Sequence, residues 1–245
     1  MCIRDRSILL VRVNEEKAAA VAGEKAGDIF AGLTEGIKFL GKNLSILFVT
    51  RRVFIMMISV GFFYVSLTGM FLEHILAETG LSIAPIKGLG FMQGVLGFGL
   101  VAGFVISGKA EKSLGAFTLI RILFPLLGAF IAGIYFFRNY YFLLFIAFAA
   151  GAAGAIILGL AETVIQKNSP ENMRGRMFAA YYILRNLSLV IATSSAGFIA
   201  RLIREPEIIL MSGLLLFGYG MVNVFGGQFK KAGVNDDGGN KAPAL

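Results

Sequence analysis

The sequence is poor in the residues that carry catalytic and metal chemistry. It has one cysteine, Cys2, and one histidine, His74. A single cysteine excludes an intrachain disulfide and a cysteine-based metal site. No His/Cys/Asp/Glu cluster has the spacing of metal ligands, no nucleophile stands with a base in view, and no phosphate-binding loop is present. The expectation is therefore no metal, no cofactor and no enzymatic activity. Charge is scarce too: charged residues make up 16% of the chain and hydrophobic ones 57%. A soluble domain carries about 25% charged residues. The one solvated-looking stretch near the start lacks the basic clustering that nucleic-acid binding needs, so no nucleic-acid partner is expected.

What the chain has instead is length of apolar run. Mean hydropathy is +0.77, and 31 glycines suit helices that pack closely in lipid. Six segments are read as membrane spans: Val53–Leu72, Gly88–Gly108, Ser113–Phe137, Asn139–Ala161, Met177–Ala200 and Ile208–Phe229. Each can cross a hydrocarbon core about 30 Å thick, and only helices satisfy their own backbone there. The fold expected is an all-α membrane protein with six transmembrane helices in a 3+3 bundle.

The flanks complete the organisation. Residues 1–6 read as an assembly artefact, similar to a translated adapter, and residues 7–13 as the end of a lost preceding helix. Residues 14–52 read as a cytoplasmic linker containing an amphipathic surface helix at 28–43. There Ile29, Phe30, Leu33, Ile37 and Leu40 recur at helical spacing. Residues 53–229 form the bundle, and 230–245 a disordered cytoplasmic tail. Lys and Arg number twelve in the segments assigned to one side and four in those assigned to the other. The basic side is cytoplasmic, so both ends lie inside. The net charge of +8 has the same origin.

Three stretches carry a family resemblance. Glu162-Thr163-Val164-Ile165-Gln166, followed by Pro170-Glu171-Asn172-Met173-Arg174-Gly175-Arg176-Met177-Phe178, is similar to the loop between helices 10 and 11 of drug and siderophore exporters. Leu81-Ser82, Gly88-Leu89-Gly90 and Gly97-Phe98-Gly99-Leu100 resemble that branch's entry to helix 8. Leu33-Thr34-Glu35-Gly36-Ile37-Lys38-Phe39-Leu40 resembles the end of its central loop. The chain thus resembles the C-terminal half, helices 7–12, of a major facilitator superfamily transporter. One departure is Gly108-Lys109-Ala110-Glu111-Lys112, which lacks the full signature of the superfamily's inner loops. The resemblance implies a secondary active transporter that exports small amphiphilic molecules by alternating access in the cell (plasma or inner) membrane. A lysophospholipid-type transporter of the same superfamily and a non-transport six-helix scaffold or sensor subunit are the alternatives. The implied partners are membrane lipids, a small-molecule substrate, and a missing N-terminal six-helix half or a second chain.

Particular residues follow from position. Arg185 lies about 12 Å into its span from Met177 at ~1.5 Å per residue. A charge at that depth is either a substrate or ion-pair contact or a side chain snorkelling to the headgroups. Asn186 follows it. Gln93, Tyr64, Met70 and Phe63 are cavity-lining candidates, with simple packing as the alternative. Arg121 is read as a snorkelling or structural residue. Glu162, Arg174 and Arg176 form an expected cytoplasmic gate, a role the loop resemblance implies. The alternative is interfacial charge, with Asn168, Ser169 and Glu171 capping the next helix. The Ala149–Ala155 run and the glycines of the second span are expected close-packing surfaces. No span has a carboxylate in its middle, so proton coupling would fall to Glu73, Glu162 or the missing half.

Overall fold

The computed structural model describes residues 26–70, 85–136, 140–171 and 173–225. Seven helices and no strand occur among them. They are α1 (Ala26–Lys42), α2 (Leu44–Met70), α3 (Pro85–Leu114), α4 (Ala116–Phe136), α5 (Tyr140–Asn168), α6 (Arg174–Ile199) and α7 (Glu205–Phe225). Helices α2 to α7 hold six segments of 20–29 residues that are long and apolar enough to cross a membrane. The all-helical, six-span fold expected from the sequence is what forms, and it is consistent with a six-helix half of a larger transporter fold. Residues 1–25, the segment with Glu73, His74, Leu81 and Ser82, and the tail beyond Phe225 lie outside the described residues.

The connections explain where the helices run past their hydropathy limits. Asn43 caps α2: its Oδ1 accepts from the Ser45 amide at 3.0 Å and the Ile46 amide at 3.4 Å. The helix therefore starts well before Val53. Helix α3 continues through Lys109–Lys112 and ends at a single glycine. Gly115 has φ 77°, and its amide bonds the Glu111 carbonyl at 2.9 Å. A left-handed residue there ends one helix and lets the next begin, at no Cβ cost. Helix α5 runs about two turns beyond Ala161. Its last carbonyls are closed by Asn168 Nδ2 donating to Val164 and Ser169 Oγ donating to Ile165. These side chains finish α5 rather than cap α6, whose N-cap Met173 makes no side-chain bond.

Helix pairing is set by small residues. A Cβ on Gly99 or Gly103 of α3 would strike the Phe148 or Ala152 carbonyl of α5, and one on Gly151 of α5 would strike the Leu96 carbonyl of α3. Gly128 and Gly213 bring the backbones of α4 and α7 equally close, and Gly220 leaves room for the ring of Pro125. A Cβ on Gly61 of α2 would lie only 2.6 Å from the Cβ of Ala192 on α6. Gly154 and the second-span glycines 90, 94, 97 and 108 face open space, so only part of the expected small-residue surfaces is used.

The pairing reveals an internal two-fold that the letters do not show. The principal contacts are α3 with α5, α2 with α6 and α4 with α7, then α2 with α7 and α4 with α5. Exchanging α2, α3, α4 for α5, α6, α7 maps this set onto itself. That is the pattern of a three-helix unit and its repeat. Helices α3 and α6, equivalent in this exchange, are the least buried of the six spans. Helix α1 packs along α6, so closely that a Cβ on Gly36 would lie 2.8 Å from the Arg176 carbonyl oxygen.

If glycine contacts set the pairing, Gly103→Ala should lower stability by about 1–3 kcal/mol, the usual cost of overpacking. Gly94→Ala, on the open side of α3, should be neutral or slightly stabilising. Unfolding midpoints of the two variants in micelles compare them directly.

Candidate functional site

Two places in the bundle concentrate polar groups. The first is a groove between α2, α3 and α5. Gln93 Nε2 donates to the Tyr64 hydroxyl at 3.3 Å, across α3 and α2. Both side chains are exposed. Beneath them lies a cavity of about 180 Å³ lined by Phe63, Leu67, Met92, Leu143, Ile146 and Ala147, among others. A second cavity of about 120 Å³ adjoins it, sharing Phe63, Leu96 and Ala150 and adding Met56 and Met57. The walls are apolar, while Tyr64, Thr68 and Gln93 supply the polar atoms. That composition suits an amphiphile: an apolar body in the slot and one or two hydrogen-bonding groups at its mouth. The volume is below the ~300–1,000 Å³ of a complete ligand site, and the mouth is open.

The second place is the end of the bundle that carries the Gly115 and Ser169–Met173 turns. Here α5 is held to α3 and α6 to α2 and α1, so α5 and α6 touch only sparingly although they are chain neighbours. An ion pair crosses the gap. Arg185 Nη1 lies 3.4 Å from Glu162 Oε1, with side chains 23% and 31% exposed. The guanidinium also lies over the Tyr182 ring, 4.8 Å from its centroid. Tyr181, one turn before Arg185 on α6, is buried beside it.

Two exposed pairs flank this one. Lys167 of α5 meets Glu111 of α3 at 2.6 Å, and Arg176 of α6 meets Glu35 of α1 at 2.9 Å. Three ion pairs therefore tie α5 to α3, α6 to α1 and α6 to α5 at one end of the molecule. Exposed pairs of this kind contribute ~0–1 kcal/mol each. The half-buried Glu162–Arg185 pair stands between those and a buried pair, whose disruption costs about 3–5 kcal/mol.

The placement of the expected residues is mixed. Tyr64 and Gln93 come together at the groove, and Phe63 lines both cavities. Met70 is buried in the core and lines neither cavity. Asn186 is exposed, away from both. Arg185 points to Glu162 rather than into either cavity. Glu162, expected opposite Arg174 and Arg176, meets neither. Helix α5 does not end at Ala161, so Glu162 sits about 9 Å inside its end, level with Arg185. Arg176 instead holds α1, and the Nε of Arg174 is buried without a partner. Arg121 makes a structural contact, donating to the Val224 carbonyl near the end of α7. Among the described residues there is no group of His, Cys, Asp and Glu that could hold a metal.

Residues 7–193, most of the chain, match the family model described as Major Facilitator Superfamily. The chain belongs to the major facilitator superfamily. It is a multi-pass membrane protein of a transporter family. No curated protein and no solved structure gave a significant match.

The sparing contact between α5 and α6 gives the Glu162–Arg185 pair a measurable weight. A double-mutant cycle with Glu162→Gln and Arg185→Gln, read by unfolding in micelles, should return a coupling of about 1 kcal/mol or more. The cycle for Glu35 and Arg176 should return less than about 0.5 kcal/mol. Equal couplings would mean that the crossing pair is an ordinary surface contact.

Proposed function

We propose that this superfamily member is an exporter of small amphiphilic molecules, of the drug or siderophore type, working by alternating access in the cell membrane. The groove under Tyr64 and Gln93 carries this reading. Its slot is apolar, its hydrogen-bonding groups are at the mouth, and it contains no fixed charge. Such a surface binds varied molecules by shape and hydrophobicity rather than by a charged headgroup. Met56, Met57 and Met92 add side chains that adapt their shape at little cost.

In this reading the open groove is half of a cavity. A second six-helix bundle, in the same polypeptide or in another chain, covers the face bounded by the two least buried spans, α3 and α6. The substrate lies between the bundles near the membrane midplane. The charged end of the bundle faces the cytoplasm, as the Lys and Arg distribution indicates. There Glu162–Arg185 is the hinge pin: it is made when the inner end of the bundle is drawn together and is lost when α6 swings from α5. Lys167–Glu111 and Arg176–Glu35 hold the outer legs to their neighbours, so that α1 travels with α6.

The substrate is tested with the protein joined to its second bundle and reconstituted in proteoliposomes. Uptake of a fluorescent amphiphile should show an apparent KM raised about tenfold by Gln93→Leu with Tyr64→Phe, roughly the 1–2 kcal/mol of two lost polar contacts. Arg185→Ala should leave KM within about twofold and abolish turnover, with membrane insertion intact. Unchanged uptake by both variants would contradict the assignment of groove and gate together.

A further inference from the structure

Arg52 has no counterpart in this scheme. It is on α2, 1% exposed, and the largest fully buried side chain among the described residues. Its guanidinium stacks over the Phe48 ring, 3.4 Å from the centroid. Stacking satisfies the face of the group and leaves the N–H edge unsatisfied. Nε and Nη1 are both buried without an acceptor. Among the described residues, the charged and titratable groups around it are Tyr219 of α7, Arg51, and Arg121 of α4, and none is a carboxylate. The Tyr219 hydroxyl is also buried without a partner. Arg51 stands over the Tyr219 ring, 5.8 Å from its centroid. Helices α2 and α7 thus bring unpartnered hydrogen-bond donors to one spot, with the charge of Arg121 on α4 close by, and no carboxylate faces Arg52 among the described residues.

A buried cation with no counter-charge is among the costliest features a protein can carry. An acceptor-rich anion would satisfy the Arg52 edge and the Tyr219 hydroxyl together. The guanidinium fork matches the oxygens of a phosphate. The location also fits. Arg121 and Val224 are near the ends of α4 and α7, and Arg52 is where the apolar run of α2 begins, so the cluster lies at membrane-interface level. On the adjoining face of α2, Leu44, Leu47 and Phe54 are exposed on either side of exposed Arg51. The spacing makes one stripe along the helix: apolar, basic, apolar.

We propose that Arg52, Arg51 and Tyr219 form a binding site for a phosphate-bearing anion, supplied by the headgroup of an acidic phospholipid. Arg51 meets the headgroup at the surface, a turn of the Arg52 side chain brings its N–H edge onto the phosphate, and the acyl chains lie along Leu44, Leu47 and Phe54. A zwitterionic headgroup fits less well, because its own cation would be set against three arginines. The bound lipid would staple α2 to α7, a pair that no ion pair joins among the described residues.

The test is thermal unfolding of the full chain in a non-ionic maltoside, alone and with phosphatidylglycerol, phosphatidylcholine or inorganic phosphate. Phosphatidylglycerol should raise the midpoint of the wild type by on the order of 5 °C, and phosphatidylcholine by much less. Arg52→Met should lose the phosphatidylglycerol increment. In detergent alone it should be at least as stable as the wild type, because it discards an unpaired buried charge. Should Arg52→Met not fold, Arg51→Gln, at an exposed position, should lose most of the increment. An equal rise with inorganic phosphate keeps the site and assigns it to a free anion. No rise with either additive, or the full rise in Arg52→Met or Arg51→Gln, would overturn the proposal.

Discussion

Backbone-to-backbone contact at a few glycines is the constraint on which the rest of the bundle depends. In lipid no hydrophobic force separates a helix–helix surface from a helix–lipid one, so fit decides which helices pair. Gly99, Gly103 and Gly151 bind α5 to α3, Gly61 binds α2 to α6, and Gly128 with Gly213 binds α4 to α7. These pairings draw the two legs of the α5–α6 hairpin onto different neighbours. The gap between the legs is a consequence of the packing, and Glu162–Arg185 is a polar contact that bridges it. The contact proposed as the gate and the packing residues are thereby parts of one arrangement.

The same packing shapes the groove. With α5 held tightly against α3, the inward sides of α2 and α3 are left to enclose an apolar slot, and Tyr64 and Gln93 meet at its edge. Charge is kept out of this slot and concentrated at the ends of the helices. That division fits a family whose members move substrates by tilting bundles: a smooth apolar site in the middle, and breakable polar contacts where the bundle must open.

Much of the fold is legible in the sequence, because six long apolar segments leave no other solution in a bilayer. Their limits are less legible. Hydropathy ends a span where charges gather at its edge, so Glu162 and the stretch from Lys109 to Lys112 read as loop although the helices run through them. Helix ends are set instead by Asn43, Gly115 and the side chains of Asn168 and Ser169, which act through local hydrogen bonds and backbone conformation. The site is partly legible. Tyr64 and Gln93 could be named as lining residues, but which charges meet depends on the rotation of each helix about its axis, and apolar runs do not encode that. Glu162 therefore pairs with Arg185 rather than with Arg174 or Arg176. Arg52 falls in the stretch that reads as cytoplasmic linker, and only the packing of Phe48 and Tyr219 around it shows that it is buried. The three-helix repeat is carried by which helices touch, so it is invisible in the letters.

The central claim is that Glu162–Arg185 controls the separation of α5 and α6 at the charged end of the bundle. The direct measurement is the distance between spin labels placed at Gln166 and Gly175, read by pulsed electron paramagnetic resonance in nanodiscs, with and without Glu162→Gln. The account predicts one narrow distribution with the pair intact, and a broader distribution shifted to longer distance when Glu162 is neutralised. Superimposable distributions from the two proteins would contradict it.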